Sequence, residues 1–113
     1  MLFGIPLSET PNLYLIGIPW DKSSSYRRGC ARGPRAIREA TSEKLYNSFN
    51  ETLVNLVEHW RYKDLGDVKA ENFGELVEKV HELIKSHYTG ELFIFLGGDH
   101  SITYATFRAL KKV

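Results

Sequence analysis

Apolar residues along this chain gather alternately in unbroken runs and in helical stripes. Tyr14-Leu15-Ile16-Gly17-Ile18-Pro19 is an unbroken run, preceded by Pro11-Asn12 and closed by Trp20-Asp21. Such a run predicts a buried strand of a parallel sheet. Residues 21–33 are rich in Ser, Arg and Gly and have no period, which predicts a loop. Gly33-Pro34 opens a helix, because proline near the first helical position loses no hydrogen bond. Ile37, Ala40, Thr41 and Lys44-Leu45 form its modest apolar stripe, and Leu53, Leu56 and Val57 continue a weaker helical pattern.

Tyr62 to Val68 predicts a short second strand. Phe73, Leu76, Val77, Val80, Leu83 and Ile84 then recur at helical spacing, and Gly90 supplies a stop. Leu92-Phe93-Ile94-Phe95-Leu96 is the most apolar run and predicts a central strand covered on both faces. Gly97-Gly98-Asp99-His100 breaks it. Ser101 is the expected cap of a last helix whose inner face is Ile102, Ala105, Thr106, Ala109 and Leu110. Strand, loop, helix, strand, helix, strand, helix is the order of an α/β layer fold with right-handed crossovers and a parallel sheet. In such folds ligands gather beyond the carboxyl ends of the strands. Asp21, Asp67 and the pair Asp99-His100 fall there.

Composition narrows the class. The chain has 113 residues, 42% of them hydrophobic and 26% charged, which fits one soluble globular domain. With 15 basic against 14 acidic residues there is no electrostatic footprint for nucleic acid or an anionic membrane. No apolar stretch is long enough to span a bilayer. Residues 1–6 lack the basic and long apolar parts of a secretory signal. Cys30 stands alone, so a disulfide within the chain is impossible and a reducing cytoplasm is the expected setting.

The candidate chemistry sits in Gly97-Gly98-Asp99-His100-Ser101. Two glycines allow a sharp turn as the strand ends, and the turn pushes His100 out over the sheet edge. A neutral imidazole there can bind a metal, with a carboxylate such as Asp99 fixing its tautomer or adding a second ligand. The plainer reading is a strand-to-helix turn bearing an exposed histidine. A Gly-Gly-Asp-His tetrad arises by chance in on the order of one in a thousand chains of this length. The second signal runs from Gly17-Ile18-Pro19-Trp20-Asp21 to Arg27-Arg28-Gly29-Cys30-Ala31-Arg32-Gly33-Pro34-Arg35-Ala36-Ile37-Arg38. Arginines in such a loop ordinarily sit in water. His81 and His87 read as surface groups, and His59, beside Trp60, as a packed histidine.

Taken together, these stretches and Asp64-Leu65-Gly66-Asp67 resemble the N-terminal part of the ureohydrolases, the family of arginases, agmatinases and formiminoglutamases. The resemblance covers essentially the whole chain, and Asp21 with the serines after it looks more like agmatinases than arginases. It implies the N-terminal portion of a three-layer α/β/α arginase-like fold, with about three parallel strands and crossover helices. It also implies a binuclear Mn²⁺ centre whose bridging hydroxide attacks a small guanidino substrate and releases urea, chemistry that needs metal to make a nucleophile at neutral pH. Within that pattern His100 is the expected metal ligand and Asp99 its support. Asp21, Arg27 and Arg32 belong to a possible active-site loop, and Gly33, Pro34, Gly97, Gly98 and Ser101 are structural.

The resemblance also implies ligands from an Asp-x-His-x-Asp and a later Asp-x-Asp motif, and neither is present. One imidazole neither balances two Mn²⁺ ions nor fills their shells, since such hard cations want several carboxylates. Residues 1–113 therefore read as a single incomplete domain starting at a natural Met1, its remainder expected C-terminally. The expectations are an inactive isolated chain that binds Mn²⁺ weakly at most and either self-associates or pairs with that remainder. The alternatives are the small subunit of a split ureohydrolase and a non-catalytic binding or assembly module that has lost the chemistry. An Asp-x-His-x-Asp sequence encoded just downstream would favour the enzyme readings over the last.

Overall fold

The computed structural model describes residues 2–42 and 47–111. Its strands are β1 (Leu13–Ile18), β2 (Tyr62–Asp67) and β3 (Leu92–Gly97), and its helices are α1 (Gly33–Thr41), α2 (Phe73–His87) and α3 (Ile102–Lys111). The strands form one parallel sheet in the order β2-β1-β3. Leu13 pairs with Leu92, Leu15 with Ile94 and Gly17 with Leu96. The layered α/β fold expected from the alternation is the observed one, with strand β1 in the middle.

Strand periodicity sorts the core onto the two faces of the sheet. Ile16 and Ile18, with Phe93, Phe95 and Leu65, meet Leu76, Val77, Val80 and Ile84 of α2 and Ala105 and Ala109 of α3. Leu13, Leu15, Tyr62 and Leu96 face the other way, against Ile37 of α1 and the N-terminal residues Leu2, Phe3 and Ile5. The three layers follow. Helix α2 is capped by Asn72, whose side chain accepts from the Glu75 amide at 2.9 Å. Glu75 in turn accepts from the Glu71 amide at 3.0 Å and pairs with Lys79 at 2.8 Å. The Lys79 ammonium is the main cause holding the Glu75 carboxyl below its usual range.

Several expectations are corrected. Strand β3 has β1 on one side only among the described residues, so it is an edge, and Leu92 and Ile94 are 49% and 37% exposed. An apolar run marks a strand that some fold covers on both faces; it does not say that this stretch of chain provides the cover. Leu53, Leu56 and Val57 do not make a helix. Asn50 instead folds a tight turn by accepting from the amides of Thr52 and Val54, and only a single 3₁₀ turn follows at Leu56–Glu58. Ala40 and Leu110 are exposed rather than inward, because each helix meets the sheet along a narrower stripe than its apolar residues suggest. Lys44 and Leu45 lie outside the described residues.

The histidines also differ from expectation. His81 and His87 are half-buried, and each places Nδ1 on a main-chain carbonyl, that of Ala109 at 3.1 Å and of Leu83 at 2.8 Å. His59 is exposed. Among the described residues no helix is long and apolar enough to cross a membrane.

The α2 side of the sheet is where burial is complete, with Leu76 and Ile84 at 0% exposure. Leu76→Ala and Ile84→Ala should each cost about 2–5 kcal/mol of unfolding free energy, read by urea denaturation. Leu7→Ala, at a residue 63% exposed, should stay within about 0.5 kcal/mol.

Candidate functional site

The sheet order creates a crevice. From β1 the chain runs to α1 on one face, while from the adjacent β3 it runs to α3 on the other. Neighbouring strands whose continuations part in this way leave a gap at their carboxyl ends, where α/β sheets bind ligands. A cleft of about 340 Å³ lies there, lined by Ser23–Arg27 from one side and by Asp99, His100 and Ser101 from the other.

Backbone contacts hold the two walls together. The Asp99 amide donates to the Trp20 carbonyl at 2.7 Å, and the Gly98 amide to that of Cys30 at 3.4 Å. Gly98 has a φ of 61°, and a Cβ there would strike the carbonyls of Ile18 and Trp20. At Gly33 a Cβ would overlap the Gly97 carbonyl oxygen, so α1 begins directly on the end of β3. Pro34, buried behind it, starts the helix as expected. Glycine is thus required at 33 for close approach and at 98 for both conformation and space.

The carboxylates are engaged within these walls. Asp99 Oδ2 accepts from the Ser23 amide at 2.9 Å, and its Oδ1 from the Ser101 amide at 2.9 Å and from the Ser101 hydroxyl. Asp99 therefore caps the turn into α3, and the expected cap, Ser101, is its hydroxyl donor. The correction has a simple cause: the Ser101 hydroxyl turns back to donate to the charged Asp99 carboxylate, and so does not turn forward to accept from an amide of α3. Asp21 Oδ2 accepts from the Gly29 amide at 2.7 Å and closes the loop on itself.

His100 differs from both aspartates. It is exposed at the cleft, and its imidazole makes no hydrogen bond among the described residues. Arg27 lines the same cleft with its guanidinium 5.3 Å from the Tyr26 ring centre. Arg32 is exposed and folds back toward the Gly29 carbonyl at 3.4 Å, away from the cleft lining.

Asp67, the third carboxylate expected at this edge, is drawn elsewhere. Arg38 of α1 grips Asp64 with two hydrogen bonds of 2.8 and 2.9 Å and reaches Asp67 with its Nη1. The cluster crosses β1 at Gly17, where a Cβ would overlap Asp67 Oδ1. Partial burial works to lower the Arg38 pKa, but the two carboxylates outweigh it and raise the value above that of a free guanidinium. Arg38 and Ser23 are the site residues that sequence reasoning left without a role. For Arg38 the available signal was an arginine closing the Gly-Pro-x-x-Ile-Arg stretch opposite two aspartates; Ser23 acts through its amide, which leaves no mark in a sequence.

A pair of metal ions does not fit these residues alone. The described residues contain no group of three His, Cys, Asp or Glu able to hold an ion. Among the candidate ligands His100 is the one whose side chain makes no hydrogen bond among the described residues, whereas Asp21, Asp67 and Asp99 each accept at least one.

Residues 11–113 match the Arginase family. The chain belongs to that family. It is 34% identical over 104 residues to the guanidinopropionase of Pseudomonas aeruginosa, covering 87% of this chain and 31% of that one. The agmatine ureohydrolase structure of Thermoplasma volcanium superposes with a TM-score of 0.75 at 31% identity, covering 95% of this chain and 36% of that one. The formiminoglutamase of Trypanosoma cruzi, solved with Mn²⁺, gives 0.72 at 25% identity, with 98% and 38% covered. This Arginase-family chain therefore spans about a third of the length of the relatives it matches.

The different duties of the two neighbours in the turn predict different costs. Asp99→Ala removes an acceptor from two walls at once and should lower stability by about 1–3 kcal/mol. His100→Ala removes an exposed side chain with no protein hydrogen bond and should change stability by less than about 0.5 kcal/mol. Thermal and urea denaturation of the two variants check the contrast.

Proposed function

We propose that this chain is the N-terminal part of an agmatinase-like manganese ureohydrolase, which hydrolyses a small guanidino compound to urea and an amine, and that the chain by itself is inactive. One observation carries the reading: His100 stands uncommitted at the crevice between β1 and β3 while the aspartates around it hold the walls. A metal centre that makes hydroxide at neutral pH needs several protein ligands. In this proposal the chain contributes one imidazole and a rigid wall, and the other ligands come from outside its 113 residues. The agmatinase-like assignment is supported by Asp21 with its following serines and by the likeness to the Thermoplasma enzyme. A second reading, a guanidino acid as substrate, is favoured by Arg27 at the cleft. Its charge suits a carboxylate and opposes the amine of agmatine.

The assay is urea release by the purified chain with excess Mn²⁺ and either agmatine or guanidinopropionate. No turnover above buffer is expected, and calorimetric titration should find Mn²⁺ bound no tighter than micromolar. Manganese-dependent turnover that is abolished by His100→Ala would mean the chain assembles a complete site by itself.

The partner proposal follows from the β3 edge. Leu92 and Ile94 leave apolar surface beside an unpaired strand edge, and such edges template further pairing. The chain is expected to self-associate, or to be ordered mainly with the rest of its domain. Sedimentation velocity at tens of micromolar reads this, and a monodisperse, cooperatively melting monomer would be the contrary result.

A further inference from the structure

Three stretches that mark this sequence meet physically in one small region, and one side chain closes over them. Gly17 of β1 lies beneath Asp67 of β2, and Arg38 of α1 closes over both. Arg38 also takes both oxygens of Asp64, so its planar fork serves three carboxylate oxygens on two residues. Asp64 Oδ1 is further fixed by the Gly66 amide at 2.8 Å. The cluster is partly sheltered, with side chains 22% to 28% exposed.

This clamp seats α1 at a set position on the sheet. The first residue of the same helix, Gly33, rests on the Gly97 carbonyl, and the residues just before it reach the Gly97–Ser101 turn through the Gly98 amide and the Cys30 carbonyl. Farther along the loop, the Ser23 amide reaches the same turn at Asp99. A shift of α1 along the sheet therefore moves the wall of the cleft relative to His100. Without Arg38, Asp64 and Asp67 would face each other as like charges beneath the helix, which pushes in the same direction.

We infer that Arg38 is a positioning residue: by bridging Asp64 and Asp67 over Gly17 it fixes α1, and through the start of α1 it sets the 21–32 loop against the turn that carries His100. The significance of that geometry rests on the functional reading above, but its test does not, because local order is measurable without catalysis or metal.

The experiment is amide hydrogen exchange on the full 113-residue chain and on Arg38→Gln and Arg38→Lys, read by mass spectrometry with residue-resolving fragmentation, which measures self-associated chain as well as monomer. The reporters are the amides of Ser23, Gly29, Gly98 and Asp99, which make the hydrogen bonds of the two walls. Their exchange should accelerate about tenfold or more, while Val80 and Ile84 in α2 keep their protection, because regions open locally below the global unfolding limit. Arg38→Lys keeps the charge but not the fork, so it should show the same local loss and serves if the glutamine variant does not fold. Arg35→Gln, which loses only an exposed pair with Glu39, should leave the four reporters unchanged. Unaltered exchange at the reporters, or equal acceleration there and in α2, would overturn the inference; the second result would make Arg38 a contributor to stability only.

Discussion

The close approach of main chain to main chain at the carboxyl end of β3 is the constraint on which the site depends. Helix α1 starts on the Gly97 carbonyl, and the Gly98 turn packs under the carbonyls of Ile18 and Trp20. Three segments distant in sequence thus meet with no side chain between them. Backbone hydrogen bonds then decide their mutual positions, and these are shorter and stiffer links than any side-chain packing would provide. A methyl group at position 33 or 98 would separate the walls before any functional group was altered.

The rest of the fold supports this region unevenly. One face of the sheet is sealed by α2 and α3, with Ile16, Val80 and Ile84 fully removed from water. On the other face α1 and the N-terminal residues cover β1 and the end of β3 but leave Leu92 and Ile94 open. Outward-facing Tyr104 and Phe107 add apolar surface on α3, at 58% and 73% exposure. The chain spans about a third of the length of the relatives it matches, and these exposed apolar residues lie on β3 and α3.

Electrostatics divides the labour among the polar groups. Asp21, Asp99, Asp64 and Asp67 all accept hydrogen bonds from main-chain amides or from Arg38, and so each helps to hold the loop or α1 in place. His100 is left as the uncommitted group at the cleft. The structure presents a loop tied by hydrogen bonds at Ser23 and Gly29 beside an exposed imidazole.

Much of this was legible in the sequence. Alternating runs and stripes fixed the layered class, the position of α2 and the strand-to-helix turn that exposes His100, because period and turn chemistry are local properties. Gly33-Pro34 announced the start of α1 for the same reason. The place of β3 in the sheet was not legible, since five consecutive apolar residues record that a strand gets covered but not by which chain segment. Nor was the exchange of roles between Asp99 and Ser101, which turns on the Ser101 hydroxyl donating back to the Asp99 carboxylate. Leu53 to Val57 imitated a helix because three apolar residues carry little information against an asparagine that folds its own turn. The sequence by itself determined the main strands and helices, their order and the turn that brings Asp99 and His100 to the crevice. Only the tertiary structure decided that Arg38 takes Asp67 out of the crevice and that Ser23 ties the loop to Asp99, because those bonds join residues far apart in the chain and exist only once the sheet has brought them together.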